Sequence, residues 1–169
     1  MRLFSFLSLI ALTFLFVPLA QAAVATSHIH GTSATSTLDG EATFEDTEGG
    51  LKITVNIHDA PPGQHGIHIH EKGSCYDSGQ DAGGHFNPDG LPHGNALKDG
   101  VSKTHAGDLG NIEIGADGKG KLEVTVPGLK VAGDKFAVVD RAIILHEKED
   151  DFGQPTGNAG GRIGCGVIA

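Results

Sequence analysis

The chain has 169 residues and a formal net charge of -9, an acidity that argues against nucleic acid or an anionic membrane surface as a partner. Glycine is frequent at 26 residues, Trp is absent, and long helical periodicity is missing. That is the profile of short strands joined by many turns, not of a helical bundle.

Residues 1–22 carry one early cation, Arg2, an apolar run from Leu3 through Leu19, and a closing Ala20-Gln21-Ala22. The small-x-small ending predicts a secretory signal peptide cut after Ala22. The run is short for a membrane span and is interrupted by Pro18, so no stable membrane anchor is expected after cleavage. The expected organisation is therefore a signal peptide, 1–22, and one domain, 23–169. Loss of Arg2 takes the net charge to about -10. The compact loops and short leader favour export to a bacterial periplasm, with release outside the cell as the other destination.

Thr26–Ser33 is expected to form a first strand. Gly40–Asp46 and Leu51–Ile57 read as a hairpin around Glu48-Gly49-Gly50. Leu51, Ile53, Val55 and Ile57 alternate with Lys52, Thr54 and Asn56, which gives one buried face and one wet face. Gly66–His70 is a further strand. Lys72 to Asp108 is a long Gly/Asp/Pro/His segment without periodicity. Asn111–Ile114 and Lys121–Val126 flank the turn Ala116-Asp117-Gly118. Arg141–His146 is an apolar strand ending in histidine, and Arg162–Ile168 follows an acidic, glycine-rich loop. About eight short antiparallel strands with two long loops predict an all-β sandwich or flattened Greek-key barrel, immunoglobulin-like in layout.

A structureless loop of roughly 35 residues counts against such an assignment unless something pins it. This one carries a cysteine and three histidines. Cys75 and Cys165 both lie in the exported part, where a single disulfide is the simple expectation and two buried free thiols the other. A bridge closing roughly 90 residues is worth about 4–5 kcal/mol in the chain-entropy treatment.

Side chains repeat every two residues along a strand, so His68 and His70 project to one side with Ile67 and Ile69 on the other. His85, His93, His105 and Asp108 lie in the long loop, and His146 ends a strand. These seven ligand types exceed one tetrahedral site. They fit two if one imidazole, deprotonated at both nitrogens, serves both. Four imidazoles suit copper, and three with a carboxylate suit tetrahedral zinc. Spacing alone does not identify the shared ring. His58 and His65 read as structural. His28 and His30 read as a surface strand face, with an auxiliary copper-binding pair as the alternative.

The runs GIHIHEKGSC, GGHFNPDG, HAGDLGN, LHEKEDD and GNAGGRIGCGVI, taken in order, resemble the copper–zinc superoxide dismutases, a familiar example of the sandwich architecture. The resemblance runs from about Gly40 to Ile168. It implies copper on His68, His70, His85 and His146, and zinc on His85, His93, His105 and Asp108, with His85 as the bridge. It makes Asp150 the carboxylate that links His68 to His93, Arg162 the guide for the anionic substrate, and Cys75–Cys165 an intrasubunit disulfide. The implied reaction converts superoxide to dioxygen and hydrogen peroxide, with Arg162 and His85 as the catalytic residues, and the implied assembly is a homodimer. The loop from Glu147 to Arg162 is shorter than in the cytosolic animal members and lacks their further acidic and lysine cluster. An exported copper and zinc buffer on the same scaffold is the second reading. It needs the ligands but not an arginine beside them.

Overall fold

The computed structural model describes residues 22–169, so all but the last residue of the expected signal peptide lies outside the described residues. Eight strands, each antiparallel to its neighbours, close a barrel in the order β1-β2-β3-β6-β5-β4-β7-β8. They are β1 (Val24–Gly31), β2 (Asp39–Thr47), β3 (Gly50–His58), β4 (Gly63–His70), β5 (Asp108–Ile114), β6 (Gly120–Val126), β7 (Ala142–His146) and β8 (Arg162–Val167). The jump from β3 to β4 and the return from β6 to β7 give the expected Greek-key course. Two seams are thin. Only Ile114↔Gly120 registers β5 on β6, and only two residue pairs join β1 to β8.

The alternation read in the sequence builds the first half. In β2 and β3, Ala42, Phe44, Leu51, Ile53, Val55 and Ile57 face the interior while their neighbours face solvent. Gly50 closes the hairpin at φ 124, and a Cβ there would run into the Val126 carbonyl. This position therefore needs glycine.

Three strand starts differ from the sequence pattern by two residues or more. The first strand runs over Val24–Gly31, not Thr26–Ser33, because Ser33 and Ser36 form the turn that carries the chain back to β2. Strand β4 begins at Gly63, where it pairs with Ile114, and β5 begins at Asp108, which pairs with His68 across a bulge. Neither extension carries an apolar alternation, so periodicity missed both.

The chain from 71 to 107 is not wholly irregular. It holds a 3-10 turn, Gln80–Ala82, and a four-residue helix, α1 (Ala96–Asp99), capped by the Asn95 side chain on the amides of Leu97 and Lys98. The loop docks on β4 through Phe86 N–H to Ile69 O and Ile69 N–H to Gly107 O. A disulfide joins Cys75 to Cys165, with their Cα atoms 5.7 Å apart, which excludes the free-thiol alternative.

Candidate metal centre

The side chains expected to bind metal stand on the outside of the barrel wall. In β4, Ile67 and Ile69 fill the interior, so His68 and His70 point outward. The register sets His68 opposite Ile144 and His70 opposite Ala142 of β7. A bulge at the end of β7 presents His146 across from Arg162. The loop after β4 folds back so that His70 and His85 form a bridge pair. His93 and His105 follow from the same loop, and Asp108 opens β5. The loop after β7 covers the group and delivers Asp150.

Two buried groups result, and they share one ring. His68, His70, His85 and His146 each offer a ligand atom within 4.8 Å of the others, and so do His85, His93, His105 and Asp108. All seven predicted ligands therefore converge. Asp150, wholly buried, sits between the groups as expected. Its carboxylate lies 2.7 Å from His68 Nε2 and 3.0 Å from His93 Nε2. His65 is buried, with its Nδ1 2.8 Å from the His146 carbonyl, and His58 is exposed on β3; neither belongs to a group.

The outer hydrogen bonds decide which nitrogens are free. Carboxylates and carbonyls only accept, so the ring nitrogen facing one must donate. His68 Nε2 donates to Asp150, His70 Nδ1 to Gly83 O at 3.0 Å, and His146 Nδ1 to Gly160 O at 3.4 Å. In the neutral rings the remaining atoms, His68 Nδ1, His70 Nε2 and His146 Nε2, are bare acceptors. They face inward with no donor among them. His68 Nδ1 is buried without any partner, and the Nε2 atoms of His70 and His146 meet at 3.3 Å. Lone pairs gathered in a dry space repel unless a cation sits among them, so this donor set fits a metal ion.

The second group passes the same test differently. His85 Nδ1 and His105 Nδ1 lie 2.8 Å and 3.2 Å from Asp108 Oδ1 and 3.4 Å from each other. His93 Nδ1 is 2.8 Å from Asp108 Oδ2, yet the contact lacks hydrogen-bond alignment, so that nitrogen also counts as unpartnered. The geometry is that of several donors aimed at one point rather than at one another. Three imidazoles and a carboxylate are a tetrahedral zinc set.

Electrostatics separates the two groups. Burial lowers the His68 pKa to about 4, the His146 pKa to about 3 and the His70 pKa to about 2, so these rings stay neutral. Burial also acts to lower His93, but the carboxylates of Asp108 and Asp150 on either side of the ring overcome it and raise it to about 9. Asp108 and Asp150 lie well below the carboxylate range. Burial opposes this, and hydrogen bonds from the surrounding histidines prevail. The first group thus holds three neutral rings. The other carries fixed negative charge that a proton or a divalent cation must balance.

Above the first group opens a cleft of about 220 Å³, bordered by His70, His85, His146, Thr156 and Arg162. Arg162 is half-buried and donates through Nη1 to Gly79 O at 2.5 Å and through Nη2 to Gly83 O at 2.6 Å. Both carbonyls belong to the segment held by the Cys75–Cys165 bridge, and Gly79 N–H itself donates to Cys75 O at 3.2 Å. The arginine predicted as a guide is therefore aimed by the disulfide-held loop.

Three contributors were not read from the sequence. Asn111 exchanges two hydrogen bonds with the Asp150 backbone, at 2.9 and 2.7 Å, and so fixes the second loop to β5. Gln154 does the same for the His93 backbone, at 3.1 and 2.9 Å. Gly157, at φ 77, leaves room for the Asp150 carboxylate, and a Cβ there would also stand 2.6 Å from His93 Nε2. Each depends on the path of a long loop that no local pattern specifies.

The family described as copper/zinc superoxide dismutase matches this chain over residues 38–168. The chain is similar to an extracellular superoxide dismutase [Cu-Zn] of Caenorhabditis elegans, 39% identical over 138 residues. That match covers 78% of this chain and spans 61% of the relative's length. Among solved structures it is similar to the clock protein EA4, with a TM-score of 0.77 and 32% identity, covering 92% of this chain and 99% of that one.

Proposed function

The chain belongs to the copper/zinc superoxide dismutase family, and from that premise we propose that it is an exported enzyme that converts two superoxide anions and two protons to dioxygen and hydrogen peroxide. His68, His70, His85 and His146 would hold copper, and His85, His93, His105 and Asp108 would hold zinc. The ring shared by two buried groups carries this reading. Bound copper supplies one-electron chemistry, and bound zinc a fixed positive charge on the shared ring.

The chain's own residues do the rest. Arg162 places a cation at the mouth of the first group, where it attracts a small anion that the acidic surface repels. Its pairing with two backbone carbonyls leaves the guanidinium charge uncancelled, since it forms no ion pair with a carboxylate among the described residues. The cleft admits a small anion to the first group. His85 commits Nδ1 toward Asp108, which leaves Nε2 as the atom to take up and return a proton beside the bound anion. Asp150 holds two rings in the tautomer that ligates, one in each group, and so ties the two metals' positions together.

Metal analysis and superoxide consumption on one sample test the proposal. One copper and one zinc per chain with rapid superoxide loss are expected. Stoichiometric metal without turnover would instead mark a copper and zinc buffer. Arg162→Ala should retain both metals and slow superoxide consumption about 10-fold at low ionic strength; an unchanged rate would remove the arginine from the mechanism. We propose further that residues 1–22 are cleaved on export to a periplasm or the cell exterior and that the enzyme is a homodimer. An N-terminus at Ala23 and a dimeric mass in light scattering are the expected results.

A further inference from the structure

Outside the buried centre, the described residues hold one other convergent group of metal-binding side chains: His28 and His30 of β1 with Asp39 of β2. Ser27 and Ile29 face inward, so the two histidines share the outer face of β1. The register places Asp39 opposite His30, and Glu41 opposite His28. Asp39 Oδ1 lies 2.9 Å from His28 Nε2 and 3.7 Å from His30 Nδ1. The rings themselves approach to 4.0 Å between centroids at 62°.

A simple ion pair accounts for one imidazole on Asp39, not for two rings turned to the same oxygen. Exposed pairs of this kind contribute only about 0–1 kcal/mol, too little to hold a second ring in place. Donors about 2.0–2.1 Å from a common tetrahedral ion stand roughly 3.3 Å apart. The two distances to Asp39 bracket that value. Glu41 stands opposite His28 in the register, and His58 of β3 opposite Asp39. A groove of about 400 Å³ borders His28 and His30.

We propose that His28, His30 and Asp39 form a second, exchangeable site for a borderline divalent ion, with copper(II) the preferred occupant. Two imidazoles and one carboxylate suit copper(II) and zinc, and copper(II) binds such donors more tightly than zinc does. The site shares no ligand with the buried centre. All three side chains are about half-exposed, so the ion exchanges with solvent and binds far more weakly than a buried one.

The fully metallated protein, desalted and dialysed against copper(II) at about ten micromolar, tests this. The wild-type chain should retain one more copper than the H28A/H30A variant. The variant should keep the wild-type superoxide rate and melting temperature. Asp39→Asn should weaken the extra copper about 10-fold. Nitrogen hyperfine structure on a second copper resonance should vanish in the double variant. Equal copper in wild type and double variant overturns the proposal. Because the readout is a difference between two chains, it stands apart from whether the buried centre loads copper and zinc or turns over superoxide.

Discussion

Strands β1, β2, β3 and β6 form a half whose outer face is wet, whereas β4, β5, β7 and β8 form a half whose outer face lies under two long loops. In β2 the residues alternate between exposed and buried, and in β7 every residue is buried. The wet half folds on apolar burial alone. In the covered half His68, His70 and His146 emerge between apolar neighbours, and the space above them is filled by polar groups that satisfy one another only incompletely. One chain thus contains a half stabilised by solvent exclusion and a half whose stability waits on charge neutralisation.

Removing the metals should divide the halves most sharply. Saturating ligand at about 1,000 times its dissociation constant contributes about 4 kcal/mol per site, so chelation should abolish superoxide consumption and lower the melting temperature by about 10 °C or more. Hydrogen exchange should then rise in residues 72–107 and 147–161, while β2 and β3 stay protected. Uniform loss of protection would mean that the halves are not separable. A core deletion in the wet half is next in size. Phe44→Ala, at a fully buried side chain, should cost about 3–5 kcal/mol in denaturant unfolding and leave the rate per metallated molecule unchanged.

Asp150→Asn preserves the size of the linking group but leaves it unable to accept from both rings. It should weaken metal binding 10–100-fold, by about 1.4–2.7 kcal/mol, as read in a chelator competition, with the wet half unaffected. The smallest effect per unit is a pH dependence of the metal-free protein. His68, His146 and His70 have folded pKa values of about 4, 3 and 2, below their ordinary 6.5. Below pH 6.5 the unfolded chain therefore binds protons that the folded chain refuses, and stability falls as pH drops. The slope approaches about 1.4 kcal/mol per pH unit for each ring. His93 acts in the opposite sense. Its folded value near 9 gives stability that is complete below pH 6.5 and fades as pH rises through 9. A denaturation midpoint that peaks near pH 6.5 is expected, and one that still climbs toward pH 5 would contradict neutral rings in the first group.

The wet half was legible because solvent on one side imposes a period of two, visible in Leu51 through Ile57. The covered half was legible by the convergence of six imidazoles and a carboxylate at strand ends and in the long loop, which have few purely structural uses. Its boundaries were not. Gly63 to His65 and Asp108 to Gly110 pair as strands although a bulge and two glycines interrupt the alternation. Asn111, Gln154 and Gly157 were invisible for a related reason. An Asn in a strand and a Gln or Gly in a loop look ordinary until the loops are placed; only then do Asn111 and Gln154 reach partners 39 and 61 residues away.

Strands β4 and β7 form a wall one peptide layer thick. Ile67, Ile69, Ile143 and Leu145 press on its inner side, and His68, His70 and His146 hang from the outer side of the same backbone. A methyl group added behind Ile69 has nowhere to relax except through that layer, and the displacement arrives at the rings on the far side with little attenuation. Greasy residues that face only the core thereby act as set-screws on the spacing of the imidazoles outside it.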